Sequence, residues 1–306
     1  MVRLQKFSKA FALLLACLTI AAGVHASAAP AAAASKETVS IGSKDFTESI
    51  LISEIFAQAL EDAGIKVNRK QALGGTPIIQ AAMQSGEIGL YPEYTSTALS
   101  MVLKEPAEFD PQAAYDKVKA AYIEKFSFVL LDMAPLNNSQ GLSITAKAAE
   151  QYGVKTLTDL SKAAPNLRLC ATPEFEDRQD GLAGLKARLG GFEFKSIKIF
   201  DKGIKYEVLR RDEADVNICF TTDAHLSQGD ILAIEDDIRF WPPYNLIPVV
   251  RKDVLDRAPQ ITDILNPICA KLDNATMQKL NAAVDIEQKE YKEVAALFLK
   301  EKGFIK

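Results

Sequence analysis

Short apolar runs of strand length alternate with helical stretches along most of this chain, and that alternation restricts the fold more than any single motif does. A strand is expected at Val39 to Gly42, followed by a helix from about Phe46 to Ala63 with Ile50, Leu51, Ile55 and Phe56 on one face. Asp45 and Glu48, three residues apart at the helix start, have the spacing of a capping box. Comparable strand and helix units are expected at Ala81 to Tyr91, Leu167 to Thr172, Ile197 to Phe200 and Val216 to Phe220. Such alternation predicts parallel α/β sheets that bind ligands at the carboxyl ends of their strands.

The pattern breaks twice. Ala134 to Ile144 is extended and polar at its centre, Asn137-Asn138-Ser139-Gln140-Gly141, and Trp241-Pro242-Pro243-Tyr244-Asn245 interrupts the chain again before the apolar run Leu246 to Val250. The roughly 100 residues between the breaks are enough for a second lobe inserted into the first. The expected division is lobe 1 at 37–139 and 246–306, and lobe 2 at 140–245. Two lobes joined by two crossing strands enclose a cleft that closes by hinge motion. The helical tail from Asn274 to Lys300 is expected to return to lobe 1 and pack on its outside.

The N-terminus points to export. Arg3, Lys6 and Lys9 precede an uncharged apolar run from Ala10 to Val24, and Val24-His25-Ala26 supplies small residues for cleavage, giving a signal peptide at 1–26 and a flexible leader at 27–36. The run is shorter than the ~20 apolar residues of a membrane span and passes directly into small residues. Leu14-Leu15-Ala16-Cys17 also resembles a lipobox, so lipid attachment at Cys17 is the rival processing route. A periplasmic location is expected.

About 280 residues then remain, enough for two lobes with buried cores. Losing three positive charges takes the formal charge from -4 to near -7, which disfavours nucleic acid and anionic membrane as partners. Cys170, Cys219 and Cys269 are too few and too scattered for a disulfide framework or a zinc site. Cys170 and Cys219 lie near the ends of strand-like runs, which leaves a bridge open, but buried free thiols are the expectation. No cofactor or metal is indicated.

The motifs carry a resemblance. Gly42-Ser43-Lys44-Asp45-Phe46-Thr47-Glu48, Leu73-Gly74-Gly75-Thr76, Tyr91-Pro92-Glu93-Tyr94-Thr95, Ala171-Thr172-Pro173-Glu174-Phe175 with Arg178 and Asp180-Gly181, Thr221-Thr222-Asp223, and Pro242-Pro243-Tyr244 occur in order through nearly all of the exported chain. Together they resemble the substrate-binding proteins of ABC importers for glycine betaine, choline and carnitine. The resemblance implies a type II periplasmic binding protein fold, delivery of an amine or betaine to a membrane permease with a cytoplasmic ATPase, and a monomer.

A quaternary ammonium donates no hydrogen bond, so aromatic faces must hold it, at about 0.5–2 kcal/mol each. A carboxylate at the other end of a ligand needs cationic or N–H donors. The family pattern carries Tyr94, Tyr244 and Phe220 over to an aromatic cage, and Lys44, Thr97 and Arg178 to the polar end. Asp45, Thr76, Thr221 and Tyr206 are further candidates along the cleft. Plain structural roles stand beside these: Tyr91 in the core of lobe 1, Asp45 as a helix cap, Arg178 in a surface ion pair with Glu176 or Asp177, and Gly74-Gly75 as a tight turn. No Lys-Ser/Thr follows the glycines, so a phosphate loop is not indicated.

One position departs from the pattern. Many relatives have an aromatic after Asn-Asn-Thr on the first crossing, whereas this chain has Asn137-Asn138-Ser139-Gln140. With Gln140 in the cage, one wall is replaced by an amide that donates and accepts, which opens the site to a non-quaternary amine, an amino-acid derivative or a conjugate. An enzyme is the rival class. Once His25 leaves with the signal, His225 is the only histidine, and neither a Gly-x-Ser-x-Gly elbow nor a His-Glu-x-x-His helix is present. Catalysis would rest on carboxylates such as Asp223 and Glu93. A sensor domain that presents its ligand to a receptor would carry the same sequence features.

Overall fold

The computed structural model describes residues 38–171, 175–176, 179–200 and 204–306. The signal peptide, the leader, Cys17, Thr172 to Glu174 and Arg178 lie outside the described residues. None of the described helices is long and apolar enough to cross a membrane.

Two five-stranded sheets organise the chain. The first has the order β2-β1-β3-β10-β4, built from β1 (Thr38–Gly42), β2 (Lys66–Lys70), β3 (Leu90–Tyr94), β4 (Phe128–Leu130) and β10 (Leu246–Arg251). The second has the order β7-β6-β8-β5-β9, from β5 (Gln140–Thr145), β6 (Arg168–Ala171), β7 (Ser196–Ile199), β8 (Val216–Phe220) and β9 (Ile231–Ala233). The expected parallel sheets are therefore mixed. β10 runs antiparallel to β3 and β4, and β5 runs antiparallel to β8 and β9. The register supplies the reason: Leu246 sits opposite Tyr94, the last residue of β3, and Gln140 sits opposite Phe220, the last residue of β8. A strand that arrives from the crossing must start at the carboxyl end of its neighbours, so it can only run against them.

The two crossings are bonded side by side. Ala134 N donates to Leu246 O (2.9 Å), Leu246 N to Leu136 O (3.1 Å) and Asn138 N to Tyr244 O (3.0 Å), while the Asn137 amide oxygen accepts from Tyr244 N (2.7 Å). Asn274 clamps the same point, its Oδ1 accepting from Asn137 N (2.8 Å) and its Nδ2 donating to Asn137 O (3.0 Å).

Helix α1 (Thr47–Asp62) covers the first sheet, with Leu51, Ile52, Ile55, Phe56 and Leu60 fully buried and Ile50 half-buried. The capping-box expectation fails. Phe46 is the N-cap and offers no side-chain bond, while Glu48 turns inward. The C-terminal tail is two helices, Asn274–Asp285 and Tyr291–Glu301, packed with α1 in one core through Met277, Val294, Phe298 and Leu299. Contrary to the expectation of a purely outer position, the first of them also reaches the second sheet's loops: Gln278 Nε2 donates to Thr221 O and Asn281 Nδ2 to Thr222 O, both at 2.9 Å. The second sheet has its own core around Leu142, Leu157, Leu169, Leu185 and Phe192, and Trp241 belongs to it. Cys170, Cys219 and Cys269 are free and buried. Gly181 fills a place no other residue could, because a Cβ there would stand 2.2 Å from the Phe175 carbonyl oxygen.

Candidate functional site

A cleft of about 590 Å³ opens where the carboxyl ends of β1, β3 and β8 face each other. It borders eight of the residues singled out from sequence: Lys44, Asp45, Thr76, Tyr94, Thr97, Gln140, Phe220 and Tyr244. Lys44 and Asp45 follow β1, Tyr94 ends β3, and Gln140 and Phe220 are a cross-strand pair at the mouth of the second sheet. Gly74, at φ +133°, makes the turn that leads Gly75 and Thr76 to the cleft edge.

Two other candidates, Thr221 and Tyr206, fall elsewhere. Thr221 is a structural clamp: its hydroxyl donates to Asn137 O (2.5 Å) and accepts from Ser139 N (3.0 Å), and the neighbouring Thr222 borders the cleft instead. Tyr206 is buried behind the wall, with its hydroxyl donating to Asp223 Oδ2 at 2.6 Å, because the Lys205–Arg210 helix packs that ring onto His225 and the lobe core. Arg178 is outside the described residues.

Four aromatic rings line the cleft: Phe46, Tyr94, Tyr244 and Phe220. Phe46 was not singled out, though it lies inside the Gly42–Glu48 motif. Its ring centroid is 6.2 Å from that of Tyr94, tilted by 35°. Phe46 and Phe220 are 38% and 48% exposed, open surface available to a solute, whereas Tyr94 is nearly buried.

The charges are arranged differently from the expected polar end. Lys44 Nζ is bonded to Glu93 Oε1, and both side chains are buried. The ammonium also stands 5.4 Å from the Tyr94 ring centroid. Glu93 further accepts from Tyr94 N (2.7 Å) and from the Tyr91 hydroxyl (3.2 Å). Lys44 thus belongs to a buried ion pair and is not a free cation for a carboxylated ligand. Lys205 is engaged in the same way, at 2.6 Å from Asp223 Oδ2. Glu93 and Asp223, the imagined acid–base pair, each hold a separate lysine. Asp45, Glu48, Asp223 and Asp285 border the cleft, giving it an acidic character among the described residues.

Glu48, Asn138, Asn281 and Asp285 also border the cleft and are not among the site residues the sequence points to. Glu48 and Asn138 lie within quoted motifs, so a signal was present there. Asn281 and Asp285 lie on the Asn274–Asp285 helix, 233 residues from Glu48 in the case of the Asn281 contact, and no local pattern announces them. A second depression of about 590 Å³ lies on the far side of the second lobe, but its arginines are bonded to its acids, Arg168 to Asp212 and Asp215 and Arg210 to Asp230, and it has no aromatic wall like that of the cleft. Among the described residues no group of acidic, histidine or cysteine side chains could hold a metal ion.

The family model for the substrate binding domain of ABC-type glycine betaine transport systems, OpuAC, matches residues 37–301. The chain belongs to this family. It is 35% identical over 279 residues to a glycine-betaine-binding protein of Pseudomonas aeruginosa, covering 88% of this chain and 89% of that one. The apo structure of Escherichia coli YehZ superposes with a TM-score of 0.80 at 30% identity over 88% of this chain and 99% of that one. An ergothioneine transport permease/ergothioneine binding protein of Helicobacter pylori is 30% identical over 90% of this chain and 49% of its own length. The fold is that of the type II periplasmic binding proteins, two α/β lobes joined by two crossings.

Proposed function

We propose that the chain is an extracytoplasmic solute-binding protein that captures a small cationic or zwitterionic amine, of the glycine betaine, choline or carnitine type, between lobes at 37–139 with 246–306 and at 140–245. It hands that solute to a membrane permease driven by a cytoplasmic ATPase. The carrying observation is the set of four aromatic rings, Phe46, Tyr94, Tyr244 and Phe220, in one cleft with several carboxylates and no unpaired lysine among the described residues. Aromatic faces and acidic groups attract a cation whose methyl groups offer nothing to donate. Arg178, on the motif between Phe175 and Gly181, is the residue assigned to a ligand carboxylate. The protein acts as a monomer in the periplasm after removal of residues 1–26, and it binds its solute without chemical change.

A second ligand class follows from Gln140. Its half-buried amide borders the cleft where the family pattern has an aromatic, and it favours a solute with hydrogen-bonding groups near the cation. The relative that transports ergothioneine supports that range of ligands. Titration calorimetry of the exported form against choline, glycine betaine, carnitine, ergothioneine and amino acids tests both. One-to-one binding of at least one of these amines is expected, and heat-silent titrations across the panel would remove the amine reading.

A further inference from the structure

A deeper statement about the same cleft rests on its assignment as an amine site. Glu48 is 2% exposed in the first turn of α1, and it borders the cleft. Its carboxyl accepts from the Tyr94 hydroxyl (2.6 Å), Asn138 Nδ2 (2.9 Å) and Asn281 Nδ2 (3.2 Å). All three donors are neutral. The two lysines nearby are bonded to other acids, Lys44 to Glu93 and Lys205 to Asp223. A carboxylate taken out of water is strongly destabilising unless hydrogen bonds or a counter-charge offset the loss. Neutral amide donors hold the group in place without cancelling its charge, and a lysine would have cancelled it.

We infer that Glu48 is the fixed counter-charge for the ligand's cation, acting from behind the Tyr94 ring, and that it makes the cleft prefer a positively charged solute over a neutral one of the same shape. The Tyr94 hydroxyl donates directly to this carboxyl, so the ring facing the solute is polarised toward greater negative charge. Glu48 is a positioning residue: it acts through Tyr94, and the crossing and the Asn274–Asp285 helix hold it from two further sides through Asn138 and Asn281.

Burial raises the Glu48 carboxyl above the usual glutamate range, and hydrogen bonds, that from Tyr94 foremost, draw it part of the way back. A bound cation favours the ionised form, so affinity for a cation falls as pH falls through this raised value and binding there releases a proton. The other charged groups facing the site are the Lys44–Glu93 pair beside Tyr94, Asp223 with Lys205 on the second lobe, and the exposed Asp45 and Asp285 at the rim.

The test is calorimetry of wild type, Glu48→Gln and Glu48→Asp with choline and with 3,3-dimethylbutan-1-ol, its uncharged carbon isostere. Glu48→Gln is expected to weaken choline about tenfold or more while the isostere changes by less than about threefold, and Glu48→Asp to restore the preference for charge. If choline still binds and the ratio of the two affinities is unchanged in Glu48→Gln, the inference is overturned and the amine site stands. If wild type binds neither compound, the inference is overturned, and the amine site falls with it only if the rest of the amine panel is silent too. Should Glu48→Gln fail to fold, the pH profile of Asp45→Asn/Asp285→Asn, which lacks the rim acids, carries the decision: choline affinity is expected to drop on acidification while the isostere's stays level. Parallel profiles overturn the inference.

Discussion

Lys44 and Tyr94 each have more to do in the folded chain than their motifs announce. Lys44 forms a buried pair with Glu93, so removing the ammonium leaves a carboxylate stranded in the protein. Lys44→Met is therefore expected to lower stability by about 3–5 kcal/mol, seen in urea unfolding, in place of a selective loss of carboxylated ligands. The two cleft tyrosines should also separate. Tyr94→Ala and Tyr244→Ala are each expected to weaken a bound cation by about 1–3 kcal/mol in calorimetry. Tyr94→Phe takes from Glu48 its shortest hydrogen bond, at 2.6 Å, and is expected to cost about 1–3 kcal/mol of stability as well. Phe46 deserves the same measurement as the tyrosines: Phe46→Ala should weaken cation binding without lowering stability, since its ring is 38% exposed.

At the scale of elements, the crossings determine how the lobes meet. β5 and β10 enter their sheets from the cleft side, and hydrogen bonds from Asn137, Asn138, Tyr244 and Leu246 keep the two crossing segments in register. Thr221 fastens the end of β8 to the first of them. Thr221→Val keeps the shape and removes the hydroxyl, so it is expected to cost about 1–2 kcal/mol in urea unfolding while the ligands keep their rank order in calorimetry. A reordered ligand panel would instead place Thr221 in contact with the solute. Acid sensitivity is also an element-level property. Burial draws the Asp215 carboxyl upward, but hydrogen bonds from the Arg168 side chain and backbone outweigh it and hold the group below its ordinary value. A carboxylate depressed in the fold contributes stability above its unfolded pKa, and that contribution is lost as pH falls through the lower folded value. The Asp215 contribution should thus be retained until below about pH 4. Arg168→Ala keeps the backbone N–H bond but removes the side-chain bonds and the guanidinium charge, so the Asp215 carboxyl rises and acid unfolding followed by circular dichroism should begin at higher pH.

For the whole molecule the expected event is closure of the two lobes on the solute. Small-angle scattering should record a smaller radius of gyration with saturating choline than without ligand. Trp241 is not a direct reporter of that motion. It is packed in the second lobe's core against Phe240, ring centroids 4.9 Å apart, with Nε1 donating to Asp180 O at 2.9 Å. Its emission should stay close to the apo spectrum on closure. A large shift would mean that the segment ending at Asp180 rearranges with ligand.

The sequence by itself determined the class of fold, the two breaks that become crossings and most of the cleft's edge, because strand and helix periods and short motifs are local properties of the chain. Gly42 to Glu48, Gly75-Thr76 and Tyr91 to Thr95 each lie at a strand-to-helix junction, and such junctions in α/β sheets gather at the carboxyl ends. Tertiary structure alone decided the rest. That β5 and β10 run against their neighbours depends on the side from which they enter, and no residue pattern within them states it. That Lys44 is neutralised by Glu93, that Tyr206 stands behind Asp223, and that Asn281 reaches Glu48 across the fold are facts about pairs of residues far apart in sequence. A charge becomes a binding group or a structural one according to its partner, and partners are chosen only when the chain packs.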